Sequence, residues 1–141
     1  MSIIKKLQDY IEEYDDTSPV DMDNIETDIL PSSGGHCALA PFGSNLKYKS
    51  VTGERTTDYQ FLFLCTEQAA DEATRVGMYE FLESFKAWIE SRDDERDYPE
   101  LEAPYKADEI DASNAMLYAI DDTGLATYQI QIKLTVIKEV N

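Results

Sequence analysis

Apolar residues at Ile3, Ile4, Leu7, Tyr10, Ile11 and Tyr14 follow the i, i+3, i+4, i+7 spacing of one helix face, so the chain opens with a predicted amphipathic helix over Ile3–Tyr14. Ser2 is placed to cap it. Thr17-Ser18-Pro19 ends it, because the residue before a proline avoids the helical region. A second stripe of Met78, Leu82, Phe85 and Ile89, widened by Phe81 and Trp88, predicts a helix from about Ala69 to Ser91 with Thr66 as its cap. So broad an apolar face belongs against a sheet, and Phe85 and Trp88 are expected near Phe61 or Phe63.

Elsewhere the period falls to two. Asp21–Pro31 is expected to hold one short strand with Ile25 and Ile29 inward. His36–Phe42 reads as a weak strand broken at Pro41, and Leu46–Val51 as another. Thr56–Cys65 is the strongest: Tyr59, Phe61, Phe63 and Cys65 point one way, Leu62 and Leu64 the other, and apolar residues on both faces mark a central strand. Ser32-Ser33-Gly34-Gly35 and Thr52-Gly53-Glu54 read as turns. The charged stretch Arg92–Glu109, with Pro99 and Pro104, reads as a loop. Asn114–Ile120 and Leu125–Val140 then form a hairpin through Asp121-Asp122-Thr123-Gly124. In its second arm Ala126, Tyr128, Ile130, Ile132, Leu134 and Val136 face the core. The order α-β-β-β-β-α-β-β gives an α+β fold, a mainly antiparallel sheet of about five strands with two helices packed on one face, in one domain over residues 1–141 without internal repeats.

Composition narrows the function classes. With 43% hydrophobic residues and a mass of 16.0 kDa, the chain can build a core without disulfide or metal staples. Its longest apolar run, Phe61–Cys65, is too short to span a bilayer, and Met1–Lys6 has too little apolar sequence for a secretory signal. Cys37 and Cys65 make no disulfide framework; Cys65 reads as a small buried hydrophobe, and a reducing, cytoplasmic setting fits. Charge decides more. Twelve bases against 29 acids leave a net charge of −17, which argues against sequence-independent nucleic-acid binding and against an anionic membrane surface. The charge is uneven: no base and nine acids lie between Lys6 and Lys47, whereas Lys47, Lys49 and Arg55 cluster at the Leu46–Thr57 hairpin. Those three are the candidate interface residues, the natural point of attraction for a neighbour's acidic surface.

Catalytic patterns are absent from the sequence. The single histidine, His36, has no G-x-S-x-G nucleophile elbow to serve, and Cys37, adjacent on a strand, points to the opposite face. One His and two Cys fall short of a structural zinc set. Asp21-Met22-Asp23-Asn24-Ile25 begins like an EF-hand loop, but Glu26 stands where the loop needs Gly and Ser32 where it needs Glu. Asp93-Asp94-Glu95-Arg96-Asp97 fails at the matching positions, Tyr98 and Pro104. Gly34-Gly35 is too short for a phosphate loop, and Glu80 and Glu83 flank no catalytic partner. The sequence therefore assigns no catalytic residue, no cofactor and no metal ligand, and the chain is expected not to be an enzyme.

Five blocks in order carry a resemblance: Tyr59-Gln60-Phe61-Leu62-Phe63-Leu64, Met78-Tyr79-Glu80-Phe81-Leu82-Glu83, Trp88-Ile89-Glu90, Pro99-Glu100-Leu101 and Ala126-Thr127-Tyr128-Gln129-Ile130-Gln131. Together they resemble the tail terminator, or minor capsid, family of long-tailed phages and prophages of Gram-positive bacteria. The chain departs from that pattern at Gly77-Met78, where Asn often precedes the aromatic-Glu pair, and at Tyr98, where Leu often stands. The resemblance implies a non-enzymatic virion subunit, made in the host cytoplasm and placed at the head-proximal end of the tail. There it would form a ring, expected to be hexameric, that stops tail-tube polymerisation. Its implied partners are other copies of itself, the tail tube protein and a neck or head-completion protein, with DNA passing through the ring without direct affinity. The alternatives are a head-side neck or minor capsid protein with the same core, or an acidic DNA mimic that inhibits a host nucleic-acid-binding protein.

Overall fold

The computed structural model describes residues 1–14, 22, 24–30, 34–68 and 71–140. The first helix, α1, runs Ile3–Ile11, with the Ser2 hydroxyl accepting the Lys5 N–H at 3.3 Å. It ends one turn before the expected Tyr14, although Tyr14 stays buried and packs on the second helix. The expected stop at Thr17-Ser18-Pro19 lies outside the described residues. The second helix, α2, runs Glu72–Asp94. Its cap is Asp71, whose carboxylate accepts the Thr74 N–H at 2.7 Å, and not Thr66, which lies in a strand.

Five strands, β1 (Ile25–Thr27), β2 (Cys37–Lys49), β3 (Arg55–Gln68), β4 (Tyr105–Ile120) and β5 (Leu125–Lys138), form one sheet in the order β1-β2-β3-β5-β4. Every pair is antiparallel except β1 with β2. The fold is thus the expected α+β arrangement with β3 central, and several boundaries differ. The two strands read at His36–Phe42 and Leu46–Val51 are one, because β2 continues past Pro41 through register shifts at Pro41/Gly43 and Leu46/Tyr48. A proline is tolerated there because β1 covers only Cys37–Leu39, which leaves the rest of β2 as an edge. The stretch read as a loop to Glu109 becomes strand at Tyr105. α2 extends three residues past Ser91. Ile29, expected inward, is 76% exposed: β1 ends at Thr27, and Asp28, at φ 63°, turns the chain away.

One sheet face carries the core. Phe61, Phe63 and Cys65 of β3 stand opposite Ile132, Ile130 and Tyr128 of β5, and α2 lays Met78, Leu82, Phe85 and Ile89 over them. Phe85 and Phe63 meet at 5.0 Å between ring centroids, as expected from the stripe. Trp88, also expected on the sheet, is half-buried and turns instead toward α1, 5.5 Å from Tyr10 and 5.3 Å from Tyr14. The Arg92 guanidinium caps this contact. It lies 4.8 Å over Trp88 and 5.3 Å over Tyr10, and it reaches Asp97 at 2.9 Å and Glu13 at 3.4 Å. Tyr10 donates its hydroxyl to the Asp97 carbonyl at 2.9 Å, and burial raises its pKa. These contacts join α1, α2 and the following turn into one unit.

Candidate functional site

The sheet register gathers the basic residues. Lys49 of β2 stands opposite Arg55 of β3, Arg55 opposite Lys138 of β5, and Lys138 opposite Tyr105 of β4. Directly opposed residues share a face with Cβ atoms about 5 Å apart, so this is one row of three cations closed by an aromatic ring. The Lys138 ammonium lies 5.8 Å from the centroid of Tyr105. On the next row Tyr48, Thr56, Ile137 and Lys106 align. Of the predicted group, Lys49 and Arg55 are brought together and joined by Lys138, and Lys47 falls in the register shift between Leu46 and Tyr48. Lys106 stands on the adjacent row and so on the other face. All five, of the chain's twelve bases, lie at one end of the sheet. Sequence reading missed Lys106 and Lys138 because they lie more than 50 positions from Arg55 and join it only through strand pairing.

None of the five is in an ion pair among the described residues, whereas Lys5, Lys86, Arg92 and Arg96 each are. Glu54 and Glu139 adjoin the row along the chain, and Glu102 precedes β4. Like charges directly opposed in a sheet repel. A neighbour bringing carboxylates would relieve that repulsion. Apolar side chains adjoin the cations along the chain: Leu46, Tyr48 and Val51 are all exposed.

The hairpin tip is built to hold its shape. Ser50 donates its N–H to the Glu54 carbonyl at 2.8 Å, and its hydroxyl accepts the Glu54 N–H at 3.1 Å. Gly53 sits at φ +96°, where a side chain would be strained.

The opposite end of the sheet has the other sign. The tip joining β4 to β5 is closed by Asp121, whose carboxylate accepts the Thr123 hydroxyl at 2.7 Å and the N–H groups of Thr123 and Leu125 at 2.9 and 3.0 Å. Those bonds, the Thr123 hydroxyl first, hold the carboxyl below its usual range. Asp122 beside it is exposed, as are Met116, Leu117, Tyr118 and Ile120.

The other sites considered in the sequence show no convergence. Cys37 and Cys65 stand opposite each other, fully buried, and burial pushes the Cys65 thiol well up, away from reactive thiolate. His36 lies just before β2, its carbonyl accepting the Thr66 N–H at 2.8 Å. Asp93 is a structural staple: it accepts the Tyr98 hydroxyl at 2.9 Å and the Ile110 N–H at 3.2 Å, and so fixes the start of β4 to α2. In the Asp21–Ser32 segment, Asp21, Asp23, Pro31 and Ser32 lie outside the described residues. Among the described residues, no three His, Cys, Asp or Glu side chains lie together as metal ligands, and no helix is long and apolar enough to cross a membrane. An open cleft of about 360 Å³ between α1 and the turn after α2 is lined by Asp9, Glu13, Asp97 and Glu100. The first three are held by Lys5 or Arg92, which leaves the cleft no focused charge. No protein-family model matches this chain, and no curated protein is significantly similar to it.

Proposed function

We propose that this chain is a phage tail terminator: a non-enzymatic subunit that assembles into a ring, expected to be hexameric, at the head-proximal end of the tail tube. The ring stops tube polymerisation and joins the tail to the neck. The observation that carries the reading is the cationic row Lys49, Arg55 and Lys138, without ion-pair partners among the described residues, on a chain of net charge −17. Identical subunits in a ring meet through two different patches, so each needs one end that attracts what the other end presents. A basic sheet end set against acidic helix and loop surfaces meets that need, and an acidic remainder lets DNA pass without adhering. The aligned sequence blocks supply the rest of the support, since their core residues Phe61, Phe63, Phe81 and Tyr128 lie in the same sheet-helix interface.

The reading is tested by adding the purified chain to polymerising tail tube protein of the same particle and measuring tube lengths by electron microscopy. Tubes should stop growing and carry a terminal ring. Unchanged lengths and bare tube ends would overturn the proposal.

A further inference from the structure

We infer that the docking site for the basic sheet end is the β4–β5 tip of a second copy of this chain. The inference deepens the ring reading and rests on it for closure of the contacts into a ring.

The two hairpins lie at opposite ends of the sheet and on opposite sides of it. Lys49 and Arg55 close the β2–β3 end, whereas Ile120 and Ala126 close the β4–β5 end. The first presents exposed Leu46, Tyr48 and Val51 among cations that form no ion pair among the described residues. The second presents exposed Leu117, Tyr118 and Ile120 beside Asp121 and Asp122, with Glu67 of β3 paired opposite Ala126 at the same end. Charge complementarity selects the occupant. Several carboxylates elsewhere on the chain are engaged: Asp9 by Lys5, Glu90 by Lys86, Glu13 and Asp97 by Arg92, and Asp108 by Arg96. Asp122 has no cation partner among the described residues, and exposed Tyr118 and Ile120 lie at the same end of the sheet. Apolar contact supplies affinity and the charges set orientation, so a copy that docks one end leaves its other end free for the next.

A charge-swap experiment reads this contact directly. Variant one is Lys47→Glu, Lys49→Glu and Arg55→Glu. Variant two is Asp122→Lys with Ala119→Lys, which leaves the turn-forming Asp121 in place. Sedimentation of the unmodified chain over a range of concentrations should show self-association that weakens with added salt. Each variant alone should associate at least about tenfold more weakly, because every end now meets its own sign. An equimolar mixture of the two should regain association, since each end again meets an opposite charge. A monomeric unmodified chain, or a mixture that stays as weak as either variant, would overturn the inference. Circular dichroism of each variant guards against unfolding, and the mixture cannot regain association from misfolded parts. The tube-length assay is independent: regained association with unchanged tube lengths would leave the contact standing and remove the terminator reading.

Discussion

Phe85→Ala should be among the most damaging single substitutions in this chain. Phe85 is fully buried and meets Phe63 at 5.0 Å, Tyr14 at 5.5 Å, Trp88 at 5.8 Å and Phe81 at 6.3 Å between ring centroids. It is the ring where β3, α2 and Tyr14 from the segment after α1 converge, so its neighbours cannot close over a void without breaking another contact. Buried Phe→Ala changes cost about 3–5 kcal/mol from lost transfer energy and the residual cavity. For a domain of this size that corresponds to a fall in Tm of about 10–15 °C. Trp88→Ala offers the internal control. Trp88 is half-buried and touches α1 rather than the sheet, so its loss should cost about 1–2 kcal/mol. Urea unfolding followed by circular dichroism measures both. A Phe85→Ala loss below about 1 kcal/mol, or a Trp88→Ala loss equal to it, would refute this account of the core.

Other outcomes follow from the same contacts. Arg92→Lys should lower stability by about 1 kcal/mol, measured by thermal melting, because an ammonium cannot span Asp97, Glu13 and two ring faces together. Asp71 and Asp121 both have carboxyl pKa values lowered, Asp71 by the Thr74 backbone N–H first and Asp121 by the Thr123 hydroxyl first. Their stabilisation is therefore complete above the ordinary carboxylate pKa and is lost as pH falls through the lowered one. Asp71→Asn with Asp121→Asn should flatten the decline in Tm below about pH 4; an unchanged slope would show that these groups do not titrate with unfolding. The chain should not shift duplex DNA at physiological salt; micromolar binding that weakens steeply with added salt would contradict the charge argument.

The sequence pattern was most legible where apolar spacing is unbroken. The α2 stripe, the core face of β5 and the two-faced β3 all emerge as read, and so does the hairpin at Asp121–Gly124, although Gln129 and Thr135 of β5, on its polar face, are buried too. Bulges hid the rest. In β4 the inward residues are Ala107, Ile110 and Ala112, and the register shift between Ala107 and Glu109 destroys the period of two, so a strand looked like a charged loop. The shifts at Pro41/Gly43 and Leu46/Tyr48 cut β2 into two apparent strands in the same way. Trp88 was misplaced because its stripe position borders the sheet, and only the docking of α1 decides which side it covers. The candidate site was half visible. Lys47, Lys49 and Arg55 are neighbours along one hairpin, whereas Lys138 and Lys106 join them through pairings that no local pattern records.

The account stands most directly on electron microscopy of phage particles made without this chain and complemented by either the unmodified protein or the Lys47→Glu, Lys49→Glu, Arg55→Glu variant. Particles without the chain should yield headless tails of uncontrolled length. The unmodified protein should restore uniform, head-joined tails, and the folded triple variant should not. Normal tails in its absence would contradict the proposed function, and normal tails with the triple variant would show that the basic end of the sheet is not the docking element.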